Sequence, residues 1–443
     1  MRKELLPTIQ LALPMIYAQL LGYSQAVVDT VMAGRHNSLT LAAVSLASQL
    51  FALIYLLFNG IAIGFAAQFS RYNGADDRSN LRFCFHQGLF IFTAIAVLCA
   101  FLIYLAAFLP PFFGTKPEIA RECKNYLLIL AIPAGVLMFA SIGSAFLQGM
   151  AYPRSVNILM TALLPVNILG NWIFLSFTDL EAAGMAIATG ICYLLYAIVL
   201  FTILAKSPKW KIYHLFRAPF IFDRRACLRF LLLGLPIGIA IVLEAGLFSF
   251  IGIMASRETA EITSANQIAV NFISIIFMVP LGISSALTIR VAHAFGQKNY
   301  QAVKNRAIGG LLLSAGFMSF AALMNFLLRQ EIAAIYTADA VIIVLAAKIM
   351  LVACVFQILD GVQVASSGIL RGLADTAILM RFAIFGYWIV GLPVGLIFAY
   401  GLNYGILGLW IGCALGLGIF AVLALGRVFK QINKLASVSN SSF

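Results

Sequence analysis

Long apolar runs separated by short polar segments are the dominant pattern of this chain. Each run approaches or exceeds the roughly 20 residues that an α-helix needs to cross the hydrocarbon of a bilayer. Twelve runs can be distinguished, at positions 8–33, 45–69, 83–109, 124–149, 155–178, 182–205, 228–255, 264–289, 307–328, 341–370, 378–400 and 405–429. Because backbone groups in lipid must be paired within their own segment, each run is predicted to be helical. The pattern therefore predicts an all-α integral membrane protein with twelve transmembrane helices.

The composition excludes a soluble protein. Hydrophobic residues make up 63% of the 443 positions and charged residues only 10%, whereas soluble domains contain about 45–50% and about 25%. Seven cysteines occur without a CxxC or Cys/His spacing, so we interpret them as small apolar side chains rather than disulfide or zinc ligands.

The basic residues indicate the orientation of the chain. If the N-terminus is placed inside, 22 of the 29 lysines and arginines fall on the same side as both termini. This bias follows the positive-inside rule, so both termini are predicted to be cytoplasmic. The net charge of +13 is explained by basic residues that orient the chain in the membrane, and it does not indicate nucleic-acid binding. The N-terminal apolar run has no clear cleavage site and is interpreted as a retained first span.

The two halves of the chain resemble each other. The matches are Ala12–Pro14 with Gly234–Pro236, Gln68–Gly74 with Arg290–Gly296, and Leu147–Gly149 with Leu370–Gly372, at offsets of 222, 222 and 223. Six spans per repeat give both halves the same direction, which implies a pseudo-two-fold axis along the membrane normal. The predicted domains are an N-terminal six-helix lobe at 1–205, a cytoplasmic linker at 206–227, and a C-terminal six-helix lobe at 228–443 that ends in a short cytoplasmic tail.

Three acidic residues lie within apolar runs, namely Asp29 in the first span, Glu244 in the seventh and Asp360 in the tenth. An ionised carboxylate at this depth costs about 2.5–3.5 kcal/mol, and no lysine or arginine is predicted at mid-span beside these acids. An unpaired carboxylate must be protonated, hydrated or close to a mobile cation. The three acids are therefore candidates for binding protons, sodium ions or a cationic substrate. The alternative for each is a hydrogen bond to a neighbouring helix.

Neutral polar side chains accompany these acids. Asn167 and Asn171 are four residues apart in the fifth span and therefore share one helix face, while Thr189 lies in the sixth span. Amide and hydroxyl oxygens suit a hard cation such as sodium. Taken alone, the two asparagines are more typical of residues that form hydrogen bonds between helices.

Glycines spaced by four residues at Gly408, Gly412 and Gly416 predict close packing of the last span against another helix.

Several motifs resemble the multidrug and toxic compound extrusion (MATE) family, in particular its NorM branch. They are Val28–Gly34, Gly184–Thr189, Leu235-Pro236 followed by Glu244, and Asp360–Gln363 leading to Leu370–Gly372. The motifs are individually loose, but their order and spacing extend the resemblance over essentially the whole chain.

The resemblance implies an antiporter of the bacterial inner membrane with two lobes in a V shape. It assigns ion coupling in the N-terminal lobe to Asp29, with Asn167, Asn171 and Thr189 as polar neighbours. It assigns cation or substrate binding in the C-terminal lobe to Glu244 and Asp360. Sodium could bind at Asp29, Asn171, Glu244 and Asp360. A tyrosine of the family's C-terminal cation site is replaced here by Phe356, which leaves the coupling ion open between Na⁺ and H⁺.

The sequence thus favours multidrug efflux, in which a monomer in the bilayer exports small cationic, often aromatic, drugs or metabolites in exchange for Na⁺ or H⁺. No cofactor other than the coupling ion is expected. An alternative is a flippase of the same superfamily for a lipid-linked substrate, which would require basic residues in the cavity. An enzyme or an ATP-driven pump is not expected, because the chain contains no GxxxxGK[ST] motif and its four histidines are scattered.

Overall fold

A computed structural model describes the backbone of residues 2–441 and the side chains of residues 4–437. Arg2 and Lys3, which contribute to the predicted charge bias, lie outside the described side chains. Every regular element within the described residues is helical. The twelve long helices are α1 Arg2–His36, α2 Ser38–Gly74, α3 Arg78–Ala106, α4 Pro117–Gly149, α5 Arg154–Phe177, α6 Glu181–Lys206, α7 Arg224–Ala255, α8 Ala260–Gly296, α9 Tyr300–Tyr336, α10 Ala340–Gly372, α11 Ala377–Gly401 and α12 Ile406–Ser441.

Each predicted apolar run coincides with one of these helices to within three residues at the ends where it extends past the helix, and all twelve helices are long and apolar enough to cross a membrane. Several helices extend beyond the apolar run because polar residues continue or cap them. The α2 helix, for example, begins seven residues before its run, where the Asn37 side chain accepts a hydrogen bond of 2.6 Å from the Thr40 amide. The chain is therefore a multi-pass helical membrane protein, as the sequence predicts.

The helix boundaries repeat along the chain. Helices α2 and α8 begin 222 residues apart and end 222 residues apart, while α4 and α10 do so at 223. These offsets equal those of the sequence matches. Boundaries are set locally by caps and turns, so their repetition supports an internal duplication independently of the sequence matches.

The contacts divide the chain into two compact units. The first unit comprises residues 20–238, and the second comprises residues 1–19 together with 239–443. These limits differ from the predicted lobe boundaries at 205 and 228, because the N-terminal parts of α1 and α7 each pack with the other half of the sequence. The sequence of α1 and α7 is equally apolar before and after these limits. The hydrophobic pattern therefore does not indicate that the first part of each helix packs with the other half of the sequence.

An ionic cluster attaches the start of α1 to the second unit. The Glu4 carboxylate pairs with Arg290, and with Arg306 at 3.0 Å. The Arg290 guanidinium also donates to the Thr8 hydroxyl at 2.7 Å. Further along α1, a Cβ atom at Gly282 of α8 would overlap the Ile16 backbone. Close packing and ion pairing thus both hold the first residues of α1 against α8 and α9.

Close packing at glycines also occurs in the first unit, where α2 packs on the N-terminal half of α7. A Cβ atom at Gly60 would overlap the Gly238 backbone, and one at Gly64 would lie 3.0 Å from the Gly234 Cα. Small residues allow such close approach of two helix backbones in lipid, where no hydrophobic force drives helices together.

The glycine seam predicted for the last span lies between α11 and α12 in the second unit. A Cβ atom at Gly412 would overlap the Gly395 backbone, and one at Gly416 would lie 2.6 Å from the Gly386 carbonyl oxygen. The prediction of close packing is confirmed. The α11 helix contains two π-helical stretches, Ile384–Gly391 and Ile397–Gly401, on either side of a segment that includes Pro393. Proline has no N–H to donate, and wider turns flank this interruption.

Candidate functional site

A chain of hydrogen bonds links three helices of the first unit. The Asn171 amide donates to the Asp29 carboxylate at 2.7 Å and lies 3.3 Å from the Asn167 side-chain oxygen. The Asn167 amide in turn donates to the Thr189 hydroxyl at 3.2 Å. The four residues selected from the sequence in this half of the chain are therefore brought into one connected cluster.

Most of this cluster is buried. Asn167 and Asn171 are 0% exposed, Thr189 is buried and Asp29 is half-buried. The buried Tyr126 side chain lies beside Thr189, and sequence reasoning did not select it because buried tyrosines have no distinguishing pattern. The Asn171 side-chain oxygen has no hydrogen-bond partner among the described residues. Such an oxygen beside a carboxylate is suited to a cation or a water molecule.

The second unit contains the other two predicted acids. The Glu244 carboxylate accepts a hydrogen bond from the Tyr387 hydroxyl at 3.3 Å, and the Gln363 side chain lies beside it. Asp360 is 4% exposed and lies close enough to Glu244 for a direct electrostatic interaction. One Asp360 oxygen and the Gln363 side-chain oxygen have no hydrogen-bond partner within the described chain. The structure thus brings Glu244 and Asp360 together and adds Gln363 and Tyr387.

Phe356, where the sequence departs from the family pattern, has a packing role. Its ring is fully buried and stacks on Trp410 with a centroid distance of 6.0 Å and an interplanar angle of 17°. The Trp410 indole N–H donates to the Asn266 side chain at 3.0 Å. The tyrosine hydroxyl near the acidic pair therefore comes from Tyr387 on α11, which no linear motif around Asp360 could indicate.

Arg371 requires a correction. The sequence places it in a loop after the tenth span, but it lies in the last turn of α10 and is only 6% exposed. Its guanidinium donates to the Ser367 carbonyl at 3.1 Å and to the Ser284 hydroxyl at 2.8 Å. Its charge acts on Glu244 without forming an ion pair. Helix ends cannot be located to within a turn from hydropathy alone, which is why this buried cation was missed.

None of the three predicted acids forms an ion pair with a described residue. The salt bridges among the described side chains join Glu4 with Arg290 and Arg306, Arg78 with Asp76, and Arg427 with Asp375. Asp29, Glu244 and Asp360 have instead amide, hydroxyl or carboxylate neighbours. Oxygen-rich surroundings of this kind suit Na⁺ and protons and do not suit soft metals.

The fold and the two clusters define a class of protein: a polytopic, internally duplicated helical membrane protein whose spanning helices carry, in each unit, carboxylates without an ion-paired partner among the described residues. The MatE family model matches this chain twice, over residues 14–173 and 236–397. The chain therefore belongs to the MATE family. The two matched segments begin 222 residues apart, the same offset as the internal repeat.

Individual relatives agree with this assignment. The multidrug resistance protein NorM of Aliivibrio fischeri is 30% identical over 442 residues, covering 96% of this chain and 95% of the relative. The probable multidrug resistance protein NorM of Xanthomonas axonopodis pv. citri is 31% identical over 435 residues, covering 97% and 95%. The predicted resemblance to NorM proteins is confirmed.

Solved structures share the fold. A crystal structure of MATE in the bent conformation superposes with a TM-score of 0.89 at 19% identity, covering 98% of this chain and 96% of that chain. The eukaryotic MATE transporter AtDTX14 gives a TM-score of 0.87 at 19% identity, covering 98% of both chains.

Proposed function

We propose that this chain is a multidrug efflux antiporter that exports small organic cations in exchange for Na⁺ or H⁺ by alternating access between its two repeats. The protein lies in the bacterial inner membrane with both termini in the cytoplasm, acts as a monomer and catalyses no covalent chemistry. The names of the relatives, multidrug resistance protein NorM, support drug efflux. The basic bias of the predicted inner loops supports the orientation.

The observation that carries the proposal is the absence of an ion-paired partner for Asp29, Glu244 and Asp360 among the described residues. A carboxylate buried without a fixed counter-charge gains free energy from any mobile cation that reaches it. A proton, Na⁺ and an organic cation therefore compete for the same oxygens. This competition is what exchange requires, because binding of one cation releases the other.

The neutral neighbours hold these oxygens in place. In the first unit the Asn171 amide occupies one oxygen of Asp29, so the other carboxylate oxygen and the partnerless Asn171 oxygen can face a cation. In the second unit the Tyr387 hydroxyl donates to Glu244 in the same way, beside the partnerless Asp360 oxygen. Both sites fit Na⁺, because carboxylate and amide oxygens are its usual ligands.

The flippase alternative calls for cations that can bind a diphosphate. The buried Arg371 already donates to Ser367 and Ser284, so it offers little to an anionic headgroup. A preference for a polyprenyl diphosphate over organic cations in a binding assay would nevertheless favour a flippase.

Ethidium efflux from proteoliposomes tests the proposal. A sodium gradient and a pH gradient are imposed separately. Wild-type protein should drive efflux under one of them, and that gradient identifies the coupling ion. The variants Asp29→Asn, Glu244→Gln and Asp360→Asn should each lose most of the efflux, because the amides have no charge to offer a cation.

Asp179→Asn and Glu258→Gln are matched controls, since both acids lie exposed in loops. They should retain wild-type efflux. If all three membrane-depth variants transport ethidium at the wild-type rate, the proposed mechanism is wrong.

A further inference from the structure

The segment between α6 and α7 is a folded surface and not a loose connection. Its residues 207–223 lie against α3, where the His86 ring hydrogen-bonds to the Leu215 carbonyl at 2.8 Å. The Gln87 amide donates to the Ile221 carbonyl at 2.7 Å, while the Gln87 oxygen accepts from the Asp223 amide at 3.0 Å. Buried side chains therefore fix the backbone of this segment, which we call the linker platform.

Apolar anchors fix the platform from a second side. Trp210 is 3% exposed and packs edge-on against Phe146, with the ring centroids 5.5 Å apart. Lys209 lies above the Tyr152 ring at 3.3 Å from its centroid. Tryptophan and tyrosine with a lysine above them are typical of the membrane–water interface. This position is expected of a segment that joins the ends of two membrane-spanning helices.

The outer surface of the platform is strongly cationic. Residues 206–229 contain seven lysines and arginines and a single acid, Asp223. All seven basic side chains are exposed, and none forms a salt bridge with a described residue. The Asp223 carboxylate is used to cap α7 through the amides of Arg225 and Ala226. The positive charge is therefore available to an external anion.

Large apolar side chains are interleaved with these cations. Ile221 and Phe222 are 63% and 59% exposed, and Ile212 is 50% exposed. Exposed apolar side chains next to a span end are unfavourable in water but favourable in the boundary between headgroups and acyl chains. A soluble anion or a nucleic acid would account for the cations but leave these apolar groups in water.

We propose that the linker platform binds anionic phospholipid headgroups of the adjoining leaflet, with Ile221 and Phe222 inserted among the upper acyl chains. Clusters of four or more basic residues beside a membrane helix attract anionic lipid, each with a favourable contribution when it is near the surface. The platform would in this way hold a fixed lipid contact on the first unit of the protein. This inference concerns lipid binding only and does not depend on the proposed transport function.

The test uses full-length protein purified in a neutral detergent. Binding of acyl-chain-labelled phosphatidylglycerol and phosphatidylcholine is measured by fluorescence anisotropy. Wild-type protein should bind phosphatidylglycerol more tightly than phosphatidylcholine. In the combined variant Lys211→Gln, Arg217→Gln, Arg224→Gln, Arg225→Gln the ratio of the two affinities should fall by at least about tenfold. The matched control carries Arg35→Gln, Lys116→Gln, Arg121→Gln and Arg257→Gln, which are exposed on the predicted opposite face, and should keep it.

A second measurement needs no variant. Raising the ionic strength from about 0.1 M to about 1 M shortens the Debye length from about 10 Å to about 3 Å, so the wild-type preference for phosphatidylglycerol should fall sharply. Free glycerol phosphate should compete poorly, because it lacks the acyl chains that contact Ile221 and Phe222. An equal loss of preference in the control variant, a preference unaffected by salt, or full competition by glycerol phosphate would each overturn the proposal.

Discussion

The residues of the two clusters show how neutral polar side chains stabilise a carboxylate at membrane depth. The Asn171 amide donates to Asp29, and Asn167 and Thr189 extend the same hydrogen-bond network without introducing a positive charge. A lysine or arginine at the same distance would form a permanent ion pair and exclude a mobile cation. The amides keep the acid in position while leaving it able to bind.

Asn171 should therefore be essential to the first cluster although it carries no charge. Replacing Asn171 by leucine removes the donor to Asp29 and the partnerless amide oxygen while keeping nearly the same volume. A hydrogen bond to a charged group contributes about 1.5–3 kcal/mol, which corresponds to roughly a tenfold to hundredfold effect. We expect ethidium efflux in proteoliposomes to fall by at least about tenfold.

Asn305→Leu is the matched control, because the Asn305 side-chain oxygen accepts a hydrogen bond only from Gln301 of its own helix among the described residues. It should transport normally. Undiminished efflux by Asn171→Leu would mean that the hydrogen bond to Asp29 is structural and that the first cluster does not bind the coupling ion through it.

At the scale of elements, small residues decide which helices touch. In lipid, helix association depends on close van der Waals packing and on interhelical hydrogen bonds. The seam between α11 and α12 is built from glycines on both helices, and a single added methyl group at Gly412 would meet the Gly395 backbone. Neither helix can yield easily, because the obstructing atoms are backbone and not flexible side chains.

The substitution Gly412→Ala should accordingly destabilise the protein by about 1–3 kcal/mol, the usual effect of overpacking. The measurement is the thermal unfolding temperature in detergent, which should fall. Gly426→Ala on the same helix serves as control, since a Cβ atom there would meet no described atom within 4 Å. That variant should be neutral or slightly stabilised, because alanine is the better helix former. Equal unfolding temperatures for both variants would disprove a tight seam.

At the scale of the whole molecule, the duplication and the charge bias together determine how the chain crosses the membrane. The offset of 222 recurs in the motifs, in the limits of α2 and α8, and in the two family matches. Because each repeat contains six spans, equivalent loops of the two halves must lie on the same side. The orientation of a single helix therefore determines that of all twelve.

Helix α8 offers a direct test, because exposed residues flank it at Glu258 and Gln297. In intact cells a membrane-impermeant maleimide should label Glu258→Cys at once and should label Gln297→Cys only after permeabilisation. Six of the seven native cysteines are buried and the seventh, Cys354, is half-buried, so the wild-type chain provides the background. The reverse labelling pattern would place both termini outside.

Hydropathy, charge and spacing were sufficient to predict the twelve helices, the duplication and the acids that lie at membrane depth. These properties follow from the sequence because transfer into lipid acts on each segment separately: a run of apolar residues must be helical, and an acid inside it is costly wherever its neighbours are. The resemblance to the MATE family rested on the same residues and was confirmed by the comparisons.

Tertiary structure decided which side chains surround those acids. Tyr387 reaches Glu244 from a helix more than 140 residues away, and Arg371 is buried only because α10 continues past its apolar run. The packing of the first residues of α1 with the second unit was equally invisible in the pattern. Such contacts depend on the shapes of two helices at once, whereas hydropathy describes one helix at a time. The sequence by itself determined which apolar runs carry acidic residues, and the packing of the helices determined which side chains surround those residues.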